Sequence, residues 1–324
     1  VTRDIPKWLF DRLGPLCIRW RYLPRLAPWF WRFWRASNWD SVHHIAEGQT
    51  QLMRQVIEDF GEIADATGTR DLIREKGMIN VYDTVDEFNR ARWKYELMTK
   101  HGFEWEIIGP DELKIMVPEL RLEKGMALFY PQWWHTVDPG ALTARIAEDG
   151  FSNGVHWLQD KVRSVDPRPS GVQLTTESGK DLQADWLVVA AGAWSNAIAR
   201  QVDGRSVPMT PKRGYHLHFT NPGIELDYPV TSSTRFFVIT PMLGGLRIAG
   251  TAEFASLEAA PDYRRAHILR EHGTHYLPNL QVEQADEWMG QRPMMADSLP
   301  VIGHSPRHER VLYAFGHGHY GLTQ

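Results

Sequence analysis

Two apolar runs each close in a cluster of small residues: LVVAAGAWS from Leu187 to Ser195, and RVLYAFGHGHYG from Arg310 to Gly321. An apolar run of this kind reads as a strand buried on both faces, which belongs in a sheet covered by helices. The small residues after Val189 let the backbone pass close to something, and Ser195 can start a helix. A ligand-facing strand end and a plain strand-to-helix turn both have this form. The second run carries glycines at 316, 318 and 321, a G-x-G-x-x-G pattern with only three residues after it. A dinucleotide-binding turn opens a helix and is followed about twenty positions on by an acidic residue, so this is not that motif. The glycines predict instead a cluster of backbone N–H groups at a helix N-terminus, where they attract an electronegative group.

The chain has 324 residues, 43% of them hydrophobic, enough for one large core or two smaller ones. A net charge of −4 leaves no basic face for nucleic acid and favours a small-molecule partner. The single cysteine, Cys17, excludes an intrachain disulfide and points to the cytoplasm. No apolar run approaches the ~20 residues of a membrane span. Arg3, Asp4, Lys7, Asp11 and Arg12 interrupt the opening residues, which therefore do not read as a signal peptide.

The first thirty-nine residues hold six of the fourteen tryptophans, and eight Lys or Arg against two acids. Such a segment suits either a peripheral contact at the inner membrane or packing on its own protein, with arginine stems along indole faces. Pro24 and Pro28 predict a broken helix, which favours the second reading. From Ser37 to Thr67 the apolar spacing predicts one long helix ending near Gly68. A strand at GMINVYD, a helix over 85–101 and a short helix at GPDEL follow, then a loop with His135 and Thr136 before a helix starting at Pro139. Residues 155–189 read as three strands, the third running into LVVAAGAWS, and Gly244 and Gly245 mark a hairpin. His317 and His319 lack the further ligands and spacing that zinc requires, and no metal is expected.

Taken in order, LVVAAGAWS, PKRGYHLHF, PMLGGLRIAGTAEF, GQRPMMADSLPVIG and GHGHYGLT resemble the FAD-dependent D-amino-acid dehydrogenase branch of the D-amino-acid oxidase superfamily. The resemblance covers almost the whole chain. It implies an α/β plus α+β fold: a Rossmann-like FAD domain, lacking its first βαβ unit, interleaved with an antiparallel-sheet substrate domain. The corresponding divisions are an N-terminal segment and long helix over 1–67, substrate-domain parts over 68–128 and 205–290, and FAD-domain parts over 129–204 and 291–324. Against the family pattern the sequence looks truncated at both ends, and the chain as given is expected to hold FAD weakly.

For the cofactor, the resemblance implies contacts at Val162 near the adenine and at Ala190, Ala191, Gly192 and Trp194 beside the ADP part. Gly316, Gly318, His319, Tyr320, Gly321 and Leu322 would lie under the flavin, with the amides of about 318–322 facing its O2 and N1. For the substrate, Arg292 is the candidate carboxylate clamp, because a guanidinium grips a carboxylate through two parallel hydrogen bonds; an ion pair with Asp297 is its structural alternative. Tyr215 and His319 follow as further substrate contacts. The implied reaction is hydride transfer from the Cα of a D-amino acid to flavin N5, giving an imine, then a 2-oxo acid and ammonia, with a quinone as electron acceptor. A secondary-amine substrate such as sarcosine, proline or hydroxyproline, and a non-catalytic remnant without flavin, stand as alternatives.

Overall fold

A computed structural model describes residues 14–324. Arg3, Asp4, Lys7, Asp11 and Arg12 lie outside the described residues. The main body is a nine-stranded sheet. Its outer antiparallel part runs in the order Asp286–Met295, Met209–Phe219, Gly245–Phe254, Phe237–Met242, and the short strand Val230–Ser232 then joins it to Met78–Tyr82, Met126–Tyr130 and Glu106–Ile108. Two of the expected divisions, 128/129 and 290/291, fall inside strands of this sheet.

Strand parity decides what the sheet does on each face. In Met209–Phe219 the odd positions Arg213, Tyr215, Leu217 and Phe219 are buried, whereas Lys212, His216 and His218 on the other face are only half-buried. Tyr215, Leu217 and Phe219 join Ile239, Ile248, Leu269 and Tyr276 in the largest core, under the helix Arg264–Tyr276. Each such aliphatic or aromatic side chain contributes about 1.5 to 3 kcal/mol by leaving water. Thr251, at a φ of +52°, is skipped where Gly214 pairs with Ala252 and Tyr215 with Gly250, a bulge that bends the neighbouring strand.

A second, smaller sheet pairs Leu187–Val189 with Val311–Phe315 in parallel and Val301–His304 antiparallel to the latter. Here the expectation of strands buried on both faces is corrected: Val189 is buried but Val188 is 57% exposed, because only one face packs on Ala199 and Val202 of the helix Ser195–Asp203. The third expected strand of 155–189 is also two. Asp181–Ala184 ends a three-stranded meander, and the chain crosses at Asp185 and Trp186 to the parallel pair.

The N-terminal segment departs from expectation in two places. Pro24 and Pro28 do not break the helix Leu23–Arg35, which contains both. Pro24 sits in the first turn, where the N–H groups have no intrahelical partner, so Pro28 alone removes a bond. Burial of Leu26 and Trp29 against Phe254 and Ala296, and the Trp29 Nε1 bond to the Met294 carbonyl at 3.0 Å, offset that loss. The outer face leaves Trp20, Trp31 and Trp34 exposed, with Arg21 and Arg35 guanidinium groups each 5.0 Å from the ring centroids of Trp20 and Trp31. The long helix of 37–67 is two helices, Trp39–Met53 and Val56–Ala66. The first buries no residue and the second buries Gly61 and Ala64, so the turn at Arg54 and Gln55 lets the second reorient toward Leu72, Val137 and Leu142. Among the described residues no helix is long and apolar enough to cross a membrane.

Candidate active site

Parallel pairing of Val189 with Tyr313 brings the two small-residue turns to the same end of the small sheet. In open α/β sheets the crevice beyond the carboxyl ends of parallel strands is where ligands bind. Glycine is required there: Gly192, Gly316 and Gly318 have φ of +53°, +89° and +58°. A side chain at Gly192 or Gly321 would meet open space, and Ala190, Ala191 and Trp194 are exposed. Val162 is at the start of the meander, where it packs on the small-sheet core that includes Val189 and Phe315.

The C-terminal turn is tied to the edge of the large sheet. Met294 and His317 form an isolated bridge, and Gly318 N–H donates to the Pro293 carbonyl at 3.1 Å. Tyr320 N–H donates to the His317 carbonyl at 2.8 Å. These bonds correct the expectation that all amides of 318–322 face a ligand: those of Gly318 and Tyr320 are committed within the protein. The amides of Gly321 and Leu322 have no such partner among the described residues. Residues 318–323 form turns and no helix.

Beside this turn lies the second face of the large sheet, which the helix Leu23–Arg35 covers at Phe254 and Met294. Gly214 and Gly290 sit directly opposite one another on adjacent strands. A Cβ on Gly214 would strike the Arg292 guanidinium, and one on Gly290 would strike the Trp288 ring. The two glycines thus form a bare floor on which a cation and an indole lie flat, and His216 stacks on Trp288 with ring centroids 4.8 Å apart. Arg292 has no hydrogen bond or ion pair among the described residues, and Asp297 instead accepts from Leu299 N–H at 3.2 Å. The structural alternative for Arg292 is therefore not realised.

Lys212 stands opposite Arg292 in register, and its Nζ donates to His319 Nε2 at 2.7 Å. Burial and then the Arg292 cation bring the Lys212 ammonium down to about 8. His319 lies at the surface yet is ringed by protein atoms. That crowding, followed by Lys212 and Arg292, lowers its pKa to about 3, so it is neutral at pH 7 and can accept from Lys212. Burial also lowers the pKa of Arg292. No carboxylate stands within ion-pair distance of these three groups among the described residues.

Arg292 and His319 are thus brought together, and Tyr215 is not. Tyr215 is on the core face, where its hydroxyl donates to Glu253 Oε2 at 2.7 Å and accepts from Asp262 N–H at 3.1 Å. The sequence reading missed Lys212, Gly214, Trp288 and Gly290. The signal was present in PKRGYHL, where positions two apart share a strand face, so Lys212 and Gly214 belong together and Tyr215 belongs with Arg213.

The profile of the family described as DAO, FAD dependent oxidoreductase, matches residues 20–324. A D-amino-acid oxidase of Bradyrhizobium diazoefficiens is 33% identical over 100% of this chain and 77% of that protein. A D-amino acid dehydrogenase of Vibrio atlanticus is 26% identical over 98% of this chain and 77% of that protein. Among solved structures, glycine oxidase from Geobacillus kaustophilus superposes with a TM-score of 0.73 at 24% identity, over 84% of this chain and 74% of that one, a likeness of fold. From a matched span that includes both glycine turns and the Arg292 floor, the chain belongs to the DAO family of FAD-dependent oxidoreductases.

Proposed function

We propose that the protein oxidises D-amino acids to 2-oxo acids and ammonia, with Arg292 as the carboxylate clamp. The observation that carries this reading is the Arg292 guanidinium itself: half-buried, laid flat over Gly214 and without any acidic partner among the described residues. A desolvated cation in that state is stabilised by an incoming carboxylate, which it can hold through two parallel hydrogen bonds. The names of the two sequence relatives support a D-amino acid as the substrate. The open backbone at 190–192 and at 321–322, beside positive-φ glycines, fits FAD: a large flat ligand needs bare main chain and free N–H donors.

Bound FAD supplies the two-electron acceptor for the hydrogen on the substrate Cα. The protein positions that hydrogen. Arg292 fixes the carboxylate, and the Gly214 and Gly290 floor with Trp288 limits how the rest of the molecule lies. His319, neutral at pH 7, adds no third charge to the site. Water then cleaves the imine. The exposed Trp20, Trp31 and Trp34 beside arginines suit a peripheral contact with a membrane carrying a quinone acceptor.

The test is anaerobic mixing of the FAD-loaded protein with D-alanine, L-alanine, sarcosine and L-proline, following the loss of flavin absorbance near 450 nm. Bleaching by D-alanine alone is expected. Bleaching only by sarcosine or proline would overturn the D-amino-acid reading. A second check concerns Gly318, whose φ of +58° disfavours any side chain and where a Cβ would stand only 3.1 Å from Met294 Sδ. Gly318→Val should cost on the order of 1 to 2 kcal/mol of backbone strain, displace the turn and weaken FAD binding roughly 5- to 30-fold. Flavin titration gives the affinity, and circular dichroism shows whether the fold is kept. An unchanged affinity would mean that the turn does not approach the cofactor.

A further inference from the structure

The site holds more positive charge than the substrate of a simple amino-acid oxidase would neutralise. Arg292 accounts for one carboxylate. Lys212 is a second cation, on the adjacent strand and in direct register with Arg292, which puts both side chains on the same face of the sheet. The only hydrogen-bond partner of Lys212 among the described residues is the neutral His319, so nothing acidic balances it. Placing two desolvated cations side by side is unfavourable unless two anionic groups meet them.

We propose that Lys212 and Arg292 together form a site for amino acids bearing a second carboxylate on a short side chain, the aspartate and glutamate class. Adjacent strands set the backbones of the two residues one sheet spacing apart, about 4.8 Å, and the Arg292 guanidinium lies over Gly214, two residues along the strand from Lys212, so the two carboxylates of one short diacid can meet both cations. Arg292 takes the α-carboxylate because its fork matches a planar two-oxygen acceptor, and Lys212 takes the side-chain carboxylate as a point charge. His319 is a positioning residue: by accepting from Nζ it holds the flexible lysine stem toward the floor. This assignment rests on the amino-acid reading above.

Two measurements test it on the FAD-loaded protein. The first compares kcat/KM for D-aspartate, D-asparagine and D-alanine in the wild type, Lys212→Met and Lys212→Arg. The wild type should prefer D-aspartate over D-asparagine, and Lys212→Met should lower the D-aspartate to D-alanine ratio by roughly 10- to 100-fold, the worth of one charge-assisted hydrogen bond. Lys212→Arg should restore most of the ratio. Equal losses on D-aspartate and D-alanine would overturn the proposal, because Lys212 would then serve the flavin or the α-carboxylate. The second measurement needs no turnover: calorimetric binding of succinate against butyrate, where succinate should bind more tightly and lose that advantage in Lys212→Met.

The same preference should fade as pH rises through about 8, where Lys212 loses its proton. The groups facing it are Arg292 from the neighbouring strand and His319 from the turn, neither of which changes charge there. If no D-amino acid bleaches the flavin, the functional reading fails, while the succinate comparison still decides the role of Lys212.

Discussion

Replacing Arg292 by lysine should lower kcat/KM for D-amino acids by about 30-fold or more, the equivalent of ~2 kcal/mol from one lost charge-assisted hydrogen bond. Charge is kept, so the loss reports geometry. An ammonium cannot reproduce the two-pronged grip, and its shorter reach leaves it beside Lys212 without filling the floor over Gly214. Gly214→Ala offers an independent approach to the same contact. Its methyl group would occupy the place of the guanidinium, which is the flexible end of a side chain and can move aside with the fold intact. Both variants should raise KM more than they lower kcat if Arg292 mainly binds the ground-state carboxylate. Agreement of Arg292→Lys with the wild type within a factor of about two would place the clamp elsewhere.

The sequence offered Arg292 only through the resemblance that GQRPM helps to carry, since a lone guanidinium reads equally well as half of a structural ion pair. It hid Lys212 because the role of that residue comes from pairing across 80 residues of chain, Lys212 with Arg292, which no local pattern displays. Tyr215 was misread for a related reason. The resemblance put Tyr215 beside the substrate, whereas strand alternation sends its side chain to the buried face, away from Lys212 and Gly214. Pro28 misled because propensity was weighed without the tertiary contacts of Leu26 and Trp29, which outweigh one missing hydrogen bond. No residue in LMRQVIED marks the turn at Arg54 and Gln55. The chain turns there because the two helices bury different amounts of surface, a property of what surrounds them.

The core face of the same strand leads to the largest expected change in stability. Glu253 is 2% exposed, and Arg213, fully buried, faces it with an N···O distance of 3.5 Å. The same carboxylate accepts from Arg19 Nε at 2.6 Å and from the Tyr215 hydroxyl at 2.7 Å. Arg213 also donates to the carbonyls of Ser256 at 2.7 Å and Ala260 at 3.1 Å, which pins the loop before the helix Arg264–Tyr276. Removing the one acid among these groups leaves the Arg213 charge buried without a counter-ion, a change that typically costs 3 to 5 kcal/mol. Glu253→Ala should therefore lower the stability to urea by about that amount, with an unchanged dependence on denaturant concentration. Tyr215→Phe removes the hydrogen bond to the Glu253 carboxylate and the one accepted from Asp262 N–H, keeps the ion pair, and should cost about 1.5 to 3 kcal/mol, leaving KM for D-amino acids close to that of the wild type. That pair of variants separates the two faces of the strand. A large rise in KM for Tyr215→Phe with little loss of stability would return Tyr215 to the substrate, and an unchanged urea midpoint for Glu253→Ala would mean that the loop carbonyls alone hold Arg213.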